Sequence, residues 1–162
     1  MAKKKKGLII VNTGKGKGKS TAAFGLVLRA WGRGLQICVI QFIKSEKGKW
    51  GEVKAAQKLG IDWLSTGDGF TWRSKDMDET IARAQYGWKM AQEKITSGKY
   101  DLVVLDEFTY LLDFEWLDVN EAISWLEENK PPMQHIIITG RNAPQELIGY
   151  ADLVTEMKEI KH

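Results

Sequence analysis

Residues 14–21 read Gly14-Lys15-Gly16-Lys17-Gly18-Lys19-Ser20-Thr21, and they follow the apolar run Leu8-Ile9-Ile10-Val11. A buried strand, a glycine-rich turn and the start of a helix, in this order, form a cradle for phosphate. The glycines let backbone N–H groups converge on an anion, and the helix N-terminus adds partial positive charge. Lys19 adds a full charge, and the Ser20 hydroxyl can bind Mg²⁺. The stretch therefore predicts a site for the phosphates of a nucleoside triphosphate.

The loop departs from the usual P-loop pattern, G-x-x-x-x-G-K-[ST], at one position. The first glycine of that pattern would lie five residues before Gly18, where this chain has Thr13. The loop also differs from the dinucleotide-binding pattern G-x-G-x-x-G, because Lys19 stands where its last glycine would be. The alternative is a basic surface turn, but the flanking strand and helix favour phosphate binding.

Composition and charge limit the class of protein. The 162 residues, 43% hydrophobic and 28% charged, are typical of one globular domain. The net charge of +3 depends on the lysine run 3–6, and without that run it falls to −1. A nearly neutral body argues against a dedicated nucleic-acid-binding protein. We expect a basic, disordered N-terminus over residues 1–7 and a single nucleotide-binding domain over residues 8–162.

The sequence does not indicate a membrane-spanning segment, a disulfide bond or a zinc site. No apolar stretch reaches the roughly 20 residues that span a bilayer, and the run 8–11 is too short for a signal peptide. One cysteine, Cys38, excludes a disulfide within the chain, and with two distant histidines it cannot form a zinc site. We expect a cytoplasmic enzyme or binding protein that has neither a membrane nor a nucleic acid as partner.

Strand and helix patterns alternate along the chain. Predicted strands cover residues 8–13, 35–42, 61–64, 101–107, 136–139 and 153–157, and predicted helices cover 19–31, 52–59, 77–97, 118–129 and a short segment before the last strand. This alternation predicts an α/β domain with a mostly parallel sheet of about six strands between two helical layers. Together with the glycine loop, it predicts the three-layer P-loop (RecA-like) fold.

Polar residues follow four of these strands, and ligands of such sheets bind at the carboxyl ends of the strands. The four groups are the glycine loop, Gln41 with Lys44, the pair Asp106-Glu107, and Thr139-Gly140-Arg141. The acids resemble a Walker B element and, with Ser20, are candidate ligands of Mg²⁺ or Mn²⁺. ATP is the expected nucleotide, because the segment most similar to a guanine-reading motif, residues 129–132, lacks the required acid.

Other candidate residues have an equally simple structural explanation. Arg29, on the first predicted helix, could instead be a solvated helix residue. Arg141 could bind phosphate or lie on the surface. The aromatic pair Phe70 and Trp72 could plug the edge of the core, or lie against a flat apolar ligand beyond a strand end.

These motifs together resemble one family, the P-loop type ATP:corrinoid adenosyltransferases. The matching residues span 8–157, nearly the whole chain. They are the short loop 14–21 with Ala22-Ala23-Phe24-Gly25 after it, Arg29, Gln41-Phe42-Ile43-Lys44, Gly69-Phe70-Thr71-Trp72, Leu105-Asp106-Glu107-Phe108-Thr109-Tyr110 and Thr139-Gly140-Arg141. The resemblance implies transfer of the 5′-deoxyadenosyl group of ATP to the Co(I) of cob(I)alamin or a corrinoid precursor, with release of triphosphate.

The resemblance also implies roles for the nucleotide-side residues. Lys19, the loop N–H groups and a metal held by Ser20, Asp106 and Glu107 would neutralise charge on the triphosphate. The nucleotide would lie in the reverse sense along the loop, with which the missing front glycine is consistent. Further nucleotide contacts are expected from Arg29, Gln41 and Arg141.

On the corrinoid side, the resemblance implies that Phe70 and Trp72 lie under the corrin ring and displace its lower axial ligand. Loss of that ligand makes Co(II) easier to reduce to Co(I). A homodimer and an electron-donating flavoprotein reductase as partner are also implied. Some relatives cover the active site with a longer N-terminal segment, whereas here seven residues precede the first predicted strand.

Two other functions fit the same motifs. One is a P-loop ATPase or small-molecule kinase, in which Glu107 orients water or a substrate hydroxyl. The other is a regulatory module whose loops respond to ATP without turnover. The nature of the phosphorus product separates the three.

Overall fold

Six strands form one parallel sheet in the computed structural model, which describes residues 4–45, 51–67 and 77–162. The strands are β1 (Ile9–Thr13), β2 (Ile37–Ser45), β3 (Asp62–Gly67), β4 (Leu102–Asp106), β5 (His135–Thr139) and β6 (Leu153–Glu156). Their order across the sheet is β3-β2-β4-β5-β1-β6, and every neighbouring pair is parallel. The predicted α/β class and six-strand sheet are confirmed.

Helices cover both faces of the sheet. They are α1 (Lys19–Gly32), α2 (Gly51–Leu59), α3 (Met77–Thr96), α4 (Thr109–Asp113), α5 (Val119–Asn129) and α6 (Gln145–Tyr150). Successive strand residues point to opposite faces, so Val39 and Val104 pack with α1 and α2, while Ile40 and Leu105 pack with the other helices. Two apolar cores therefore hold the sheet rigid from either side and fix its carboxyl edge.

The edge pair β2 and β3 extends further than the sequence pattern predicts. The sequence predicts that the two strands end at residues 42 and 64, before polar stretches that begin at Lys44 and Ser65. Pairing continues to Ser45 and Gly67 after an irregularity beyond Gln41. A Cβ atom at Gly67 would lie 2.2 Å from the backbone of Ile43. The strands β2 and β3 can therefore approach this closely only because residue 67 is glycine.

The short helix α4 is also absent from the predicted pattern. It follows Glu107, which has a positive φ of 61°. Five residues are too few for helical periodicity to be visible in the sequence. The reversal at Glu107 turns the chain from β4 into α4 and leaves residue 107 at the edge of the sheet.

Residues 6 and 7 make specific contacts with the body of the protein. The Lys6 ammonium lies 2.6 Å from the Asp152 carboxylate, and the Gly7 N–H donates to Pro132 O at 2.6 Å. A Cβ at Gly7 would lie 1.9 Å from Gln134 O. Lys6 and Gly7 therefore belong to the packed structure, whereas we had expected the whole segment 1–7 to be disordered. None of the helices in the described ranges is long and apolar enough to cross a bilayer.

Candidate active site

The glycine loop begins one residue later than in the usual pattern because Thr13 is still part of β1. Thr13 pairs with Glu156 of β6, and its hydroxyl accepts a hydrogen bond from Ala143 N at 3.1 Å. The turn starts at Gly14 with a φ of 104° and ends at Gly18 with a φ of 109°. Both are left-handed conformations that favour glycine. The shortened motif is therefore a strand that is longer by one residue, followed by a tighter loop.

The front of the loop packs against the residue that follows β6. Gly16 N donates to Met157 O at 2.8 Å, and Met157 N donates to Thr13 O at 2.8 Å. Cβ atoms at Gly14 and Gly16 would lie 2.4 Å and 2.8 Å from Met157 O. These two glycines are thus required by the close approach of backbone to backbone as well as by the turn.

We expect Gly14→Ala to lower the free energy of unfolding by about 1–3 kcal/mol, because a Cβ meets both an unfavourable φ and the Met157 carbonyl. It should also weaken ATP binding, since the loop can no longer close on β6. The matched control is Gly25→Ala in α1, where a Cβ meets nothing within 4 Å and helix propensity gains roughly 0.5–1 kcal/mol. Chemical denaturation and ATP titration measure both effects, and equal stability of the two variants would contradict the packing argument.

Lys19 lies in the first turn of α1 and folds back over the loop. Its ammonium donates to Gly16 O at 2.6 Å. Partial burial and the nearby Arg141 guanidinium lower the pKa of Lys19, and the Glu107 carboxylate acts in the opposite direction. Lys19, Arg141 and Glu107 therefore share one electrostatic site. A bound phosphate could replace the Gly16 carbonyl as the partner of the ammonium.

Asp106 is the fully buried centre of the site, at the carboxyl end of β4. Its Oδ1 accepts from Ser20 Oγ at 2.6 Å and from Thr139 Oγ1 at 2.8 Å. Its Oδ2 accepts from Gln41 Nε2 at 3.1 Å. Donors from three other segments, α1, β2 and β5, thus converge on one carboxylate, and the predicted meeting of these strand ends is present in the structure.

Glu107 lies at the more open side of this cluster. Its N–H donates to Thr139 Oγ1 at 2.9 Å, so Thr139 bridges the backbone of Glu107 and the side chain of Asp106. Glu107 raises the pKa of Tyr110, in addition to the larger effect of burial. Its carboxylate is therefore close enough to both Lys19 and Tyr110 to influence their pKa values, at the edge of the sheet that carries the loop.

The turn after β5 is fastened to α4. Thr109 Oγ1 donates to Arg141 O at 2.7 Å, and a Cβ at Gly140 would lie 2.0 Å from the same hydroxyl oxygen. Asn142 Nδ2 donates to Asp113 Oδ2 at 3.1 Å. These contacts fix the backbone of Arg141 and direct this turn toward the glycine loop.

A hard divalent cation fits the oxygen groups of the site. Ser20 Oγ and the Asp106 carboxylate are adjacent at 2.6 Å, and Mg²⁺ prefers few protein oxygens together with phosphate oxygens and water. Within the described ranges, no cluster of three or more His, Cys, Asp and Glu side chains could hold a metal on its own. A cation here would therefore depend on the phosphates of a nucleotide for the rest of its ligands.

Two predicted nucleotide contacts are placed differently by the structure. Gln41 is 1% exposed and its side-chain amide is engaged with neighbours, so it supports the site from below. Arg29 lies in the last turn of α1, about 15 Å along the helix from Lys19. It lies beside Leu8 and His135, at the amino edge of the sheet. Arg29 is therefore not brought to the loop of its own chain.

Phe70 and Trp72 lie outside the described residues. The structure follows β3 as far as Gly67, at the carboxyl edge that holds the loop and Asp106.

Comparison with known proteins decides the family. The model of the family described as ATP:corrinoid adenosyltransferase BtuR/CobO/CobP matches residues 5–162. A corrinoid adenosyltransferase from Sinorhizobium sp is 46% identical over 160 residues, which cover 97% of this chain and 74% of that protein. The corrinoid adenosyltransferase of Escherichia coli (strain K12) is 37% identical over 163 residues, covering 99% of this chain and 81% of its own length. The chain belongs to the ATP:corrinoid adenosyltransferase family.

The family's fold also appears in a solved structure of low sequence similarity. The flagellar accessory protein FlaH from Methanocaldococcus jannaschii superposes with a TM-score of 0.64, over 93% of this chain and 70% of that chain, at 11% identity. At this identity the likeness concerns the fold alone. It agrees with the layered α/β architecture of this adenosyltransferase family member.

Two basic residues of this family member's loop region were not predicted from the sequence. Lys158 and Lys161, together with Lys15, Lys17 and Arg141, line an open pocket beside the loop. A signal was available, because Lys158 follows the carboxyl end of β6 as the other polar groups follow their strands. The parallel pairing of β6 with β1 brings it to the same edge.

Proposed function

We propose that this chain transfers the 5′-deoxyadenosyl group of ATP to the Co(I) centre of a corrinoid and releases inorganic triphosphate. The main support is the glycine loop, where Lys19 lies over the backbone and the Ser20 hydroxyl donates a hydrogen bond to Asp106 at 2.6 Å. The chain that carries this loop matches the adenosyltransferase family over residues 5–162. The transferred group is therefore the carbon end of ATP, and the loop holds the leaving group.

The proposed step forms one bond and breaks one bond. An electron pair of Co(I) attacks C5′ of the ribose and forms a Co–C bond, so that cobalt becomes formally Co(III). The C5′–O5′ bond breaks, and its electron pair leaves with O5′ on the triphosphate. No proton is removed from the nucleophile, so no side chain need act as a general base. The protein's contribution is then positioning and charge stabilisation.

The residues at the loop suit a leaving group of high negative charge. Lys19 lies over the loop, and the guanidinium of Arg141 is close enough to lower its pKa. Two cations near each other are unfavourable until an anion lies between them. Because charge on O5′ grows as the C–O bond breaks, groups fixed beforehand stabilise the transition state more than the bound ATP.

We propose Mg²⁺, or Mn²⁺ in its place, as the cation of the site. Ser20, Asp106 and Glu107 would hold it: Ser20 Oγ lies 2.6 Å from the Asp106 carboxylate, and Glu107 is the next acid along the chain. When bound, the cation would neutralise part of the triphosphate charge and draw the phosphates into one conformation. The Asp106 carboxylate is already held in one orientation, because Thr139 and Gln41 donate hydrogen bonds to its two oxygens.

We propose that Phe70 and Trp72 act on the corrinoid side, as the resemblance implies. Apolar rings suit this role, because they cannot coordinate cobalt and they exclude water from its lower face. The resemblance also supports a cytoplasmic homodimer served by an electron-donating flavoprotein reductase, since Co(II) must gain one electron before it becomes a nucleophile.

The double variant Phe70→Ala/Trp72→Ala should separate the reduction step from the transfer step. We expect transfer to chemically pre-reduced Co(I) to be spared, and the reaction that starts from Co(II) and a reductant to lose far more activity. Initial rates of adenosylation from the two starting states measure the ratio. Equal losses from Co(I) and Co(II) would refute the proposed role of the pair.

Product identification tests the proposed function. The protein is incubated with Mg-ATP and chemically reduced cobalamin, and the phosphorus products are resolved by ³¹P NMR. Triphosphate and a light-sensitive Co–C bond in equal amounts are expected. ADP formed whether or not corrinoid is present would instead indicate an ATPase or a kinase. An ATP-dependent change in protease sensitivity without any turnover would indicate a regulatory module.

A further inference from the structure

A chain of hydrogen bonds that is buried at its centre runs from β3 to the glycine loop through Gln41. Trp63 Nε1 donates to Gln41 Oε1 at 3.0 Å, and Gln41 Nε2 donates to Asp106 Oδ2 at 3.1 Å. On its other oxygen, Asp106 accepts from Ser20 Oγ at 2.6 Å. Gln41 has Ser65 and Asp106 as its register partners on the two neighbouring strands. The sheet therefore sets this alignment.

Each link of the chain has a fixed direction. An indole N–H can only donate, and an ionised carboxylate can only accept. The residue between them must accept on one side and donate on the other, which an amide does. Ser65 Oγ also donates to Gln41 Oε1, at 3.3 Å, so two donors fix the amide oxygen and turn the nitrogen toward Asp106. Trp63 is itself held against Phe24 of α1, with ring centroids 5.3 Å apart.

The orientation of Asp106 depends on this amide. A carboxylate rotates easily about its last torsion, so donors on both oxygens are needed to fix it. Ser20 and Thr139 both donate to Oδ1, and Gln41 is the donor that the described residues provide for Oδ2. Without that donor, Oδ2 would be a buried acceptor with no partner, and the carboxylate would turn to find one.

The orientation of Asp106 in turn determines whether the lone pairs of the Ser20 oxygen are available to a cation. The Ser20 hydroxyl has one proton and two lone pairs. As long as that proton is donated to Asp106, the lone pairs face away from the carboxylate and are free for a cation at the triphosphate. If Asp106 turns, the proton is released to point elsewhere, and the oxygen is a poorer ligand.

We propose that Gln41 is a positioning residue, which holds Asp106 so that Ser20 presents its oxygen to a divalent cation bound with ATP. This inference rests on the proposed function only in taking ATP and a divalent cation as the ligands of the loop. Gln41 touches neither of them, since it is 1% exposed. Trp63 and Ser65 extend its support to β3, so the cation site is anchored in the edge of the sheet.

The variant Gln41→Met tests the proposal, because it keeps the length and approximate volume of the side chain but removes the donor. Free Mn²⁺ is measured by EPR in titrations of the protein with saturating ATP and without corrinoid. We expect the dissociation constant for Mn²⁺ to rise about tenfold, as for loss of one hydrogen bond to a charged group. The kcat at saturating Mg²⁺ should fall by a smaller factor than the affinity for the cation, since Lys19 and the loop remain in place.

Two further variants keep the test decisive. Trp63→Phe retains the ring against Phe24 but loses the N–H, and it should raise the Mn²⁺ dissociation constant about two- to threefold. Gln57→Met, on the exposed surface of α2, should leave it unchanged. An unchanged Mn²⁺ affinity in folded Gln41→Met would overturn the proposal, even if stability or kcat fell. If Gln41→Met does not fold, an unchanged affinity in Trp63→Phe would do so.

Failure of the proposal for Gln41 can be distinguished from failure of the proposed transferase function. Mn²⁺ binding with ATP is measured without corrinoid, so it does not depend on adenosyl transfer. Unmodified protein that binds Mn²⁺ and ATP but forms no Co–C bond would refute the transferase function, and the titrations would still judge the role of Gln41.

Discussion

Replacing Lys19 by alanine should lower kcat by at least about a hundredfold, the loss typical of removing a preorganised charge from a transition state. The ammonium lies over the loop, 2.6 Å from Gly16 O, and is fixed there before the substrate arrives. Once bound ATP has replaced the Gly16 carbonyl as its partner, the ammonium is already in position when charge develops on the leaving oxygen. Steady-state rates of Co–C bond formation with pre-reduced cobalamin measure the effect.

Controls separate charge from shape in this experiment. Lys19→Arg keeps the charge and should retain more activity than Lys19→Ala, although a guanidinium cannot reproduce the position of a compact ammonium. Lys58→Ala, on the exposed surface of α2, should be indistinguishable from the unmodified protein. If the activity of Lys19→Ala were within about threefold of the activity of the unmodified protein, the loop would not hold the leaving group.

Replacing Asp106 by asparagine should be nearly as damaging, with a loss of activity on the order of a hundredfold. The carboxylate is 0% exposed and accepts from Ser20, Thr139 and Gln41. An amide of the same shape removes the charge that attracts a divalent cation. It also brings an N–H group to face either the Gln41 N–H, which leaves a buried donor without an acceptor, or the two hydroxyls, which must then turn their own protons elsewhere.

The measurement for Asp106→Asn combines rate and stability. We expect activity to recover partly at high Mg²⁺, and the free energy of unfolding to fall by about 1–3 kcal/mol because of the unpaired donor. Asp78→Asn, in the exposed first turn of α3, is the matched control for the same chemical change. Full activity of Asp106→Asn at low Mg²⁺ would contradict a role for this carboxylate in the cation site.

The order of elements and the edge that holds the site could be predicted from the sequence. Apolar runs such as 102–105 are continuous because parallel strands are covered on both faces. Strands of one parallel sheet end at one edge, so Asp106 and Thr139 had to lie near the glycine loop. The structure confirms this convergence with hydrogen bonds of 2.6–2.8 Å.

The remaining features depend on contacts between segments that are far apart in sequence. Gly67 looks like a loop residue until Ile43 is placed beside it. The carbonyl of Met157, which the glycine loop contacts, belongs to the backbone and leaves no trace in residue type. Gln41 was expected at the nucleotide for its position at a strand end, but local sequence cannot indicate that Trp63 and Asp106 enclose its amide.

The central claim is that carbon rather than phosphorus is attacked, and the fate of the bridging oxygen tests it most directly. The substrate is ATP labelled with ¹⁸O at O5′, between C5′ and the α-phosphorus. Turnover with chemically reduced cobalamin is followed by mass spectrometry of the phosphorus product. We predict that all of the label appears in triphosphate and none in the adenosyl product. Label retained on a nucleoside, or ADP as the phosphorus product, would contradict the account.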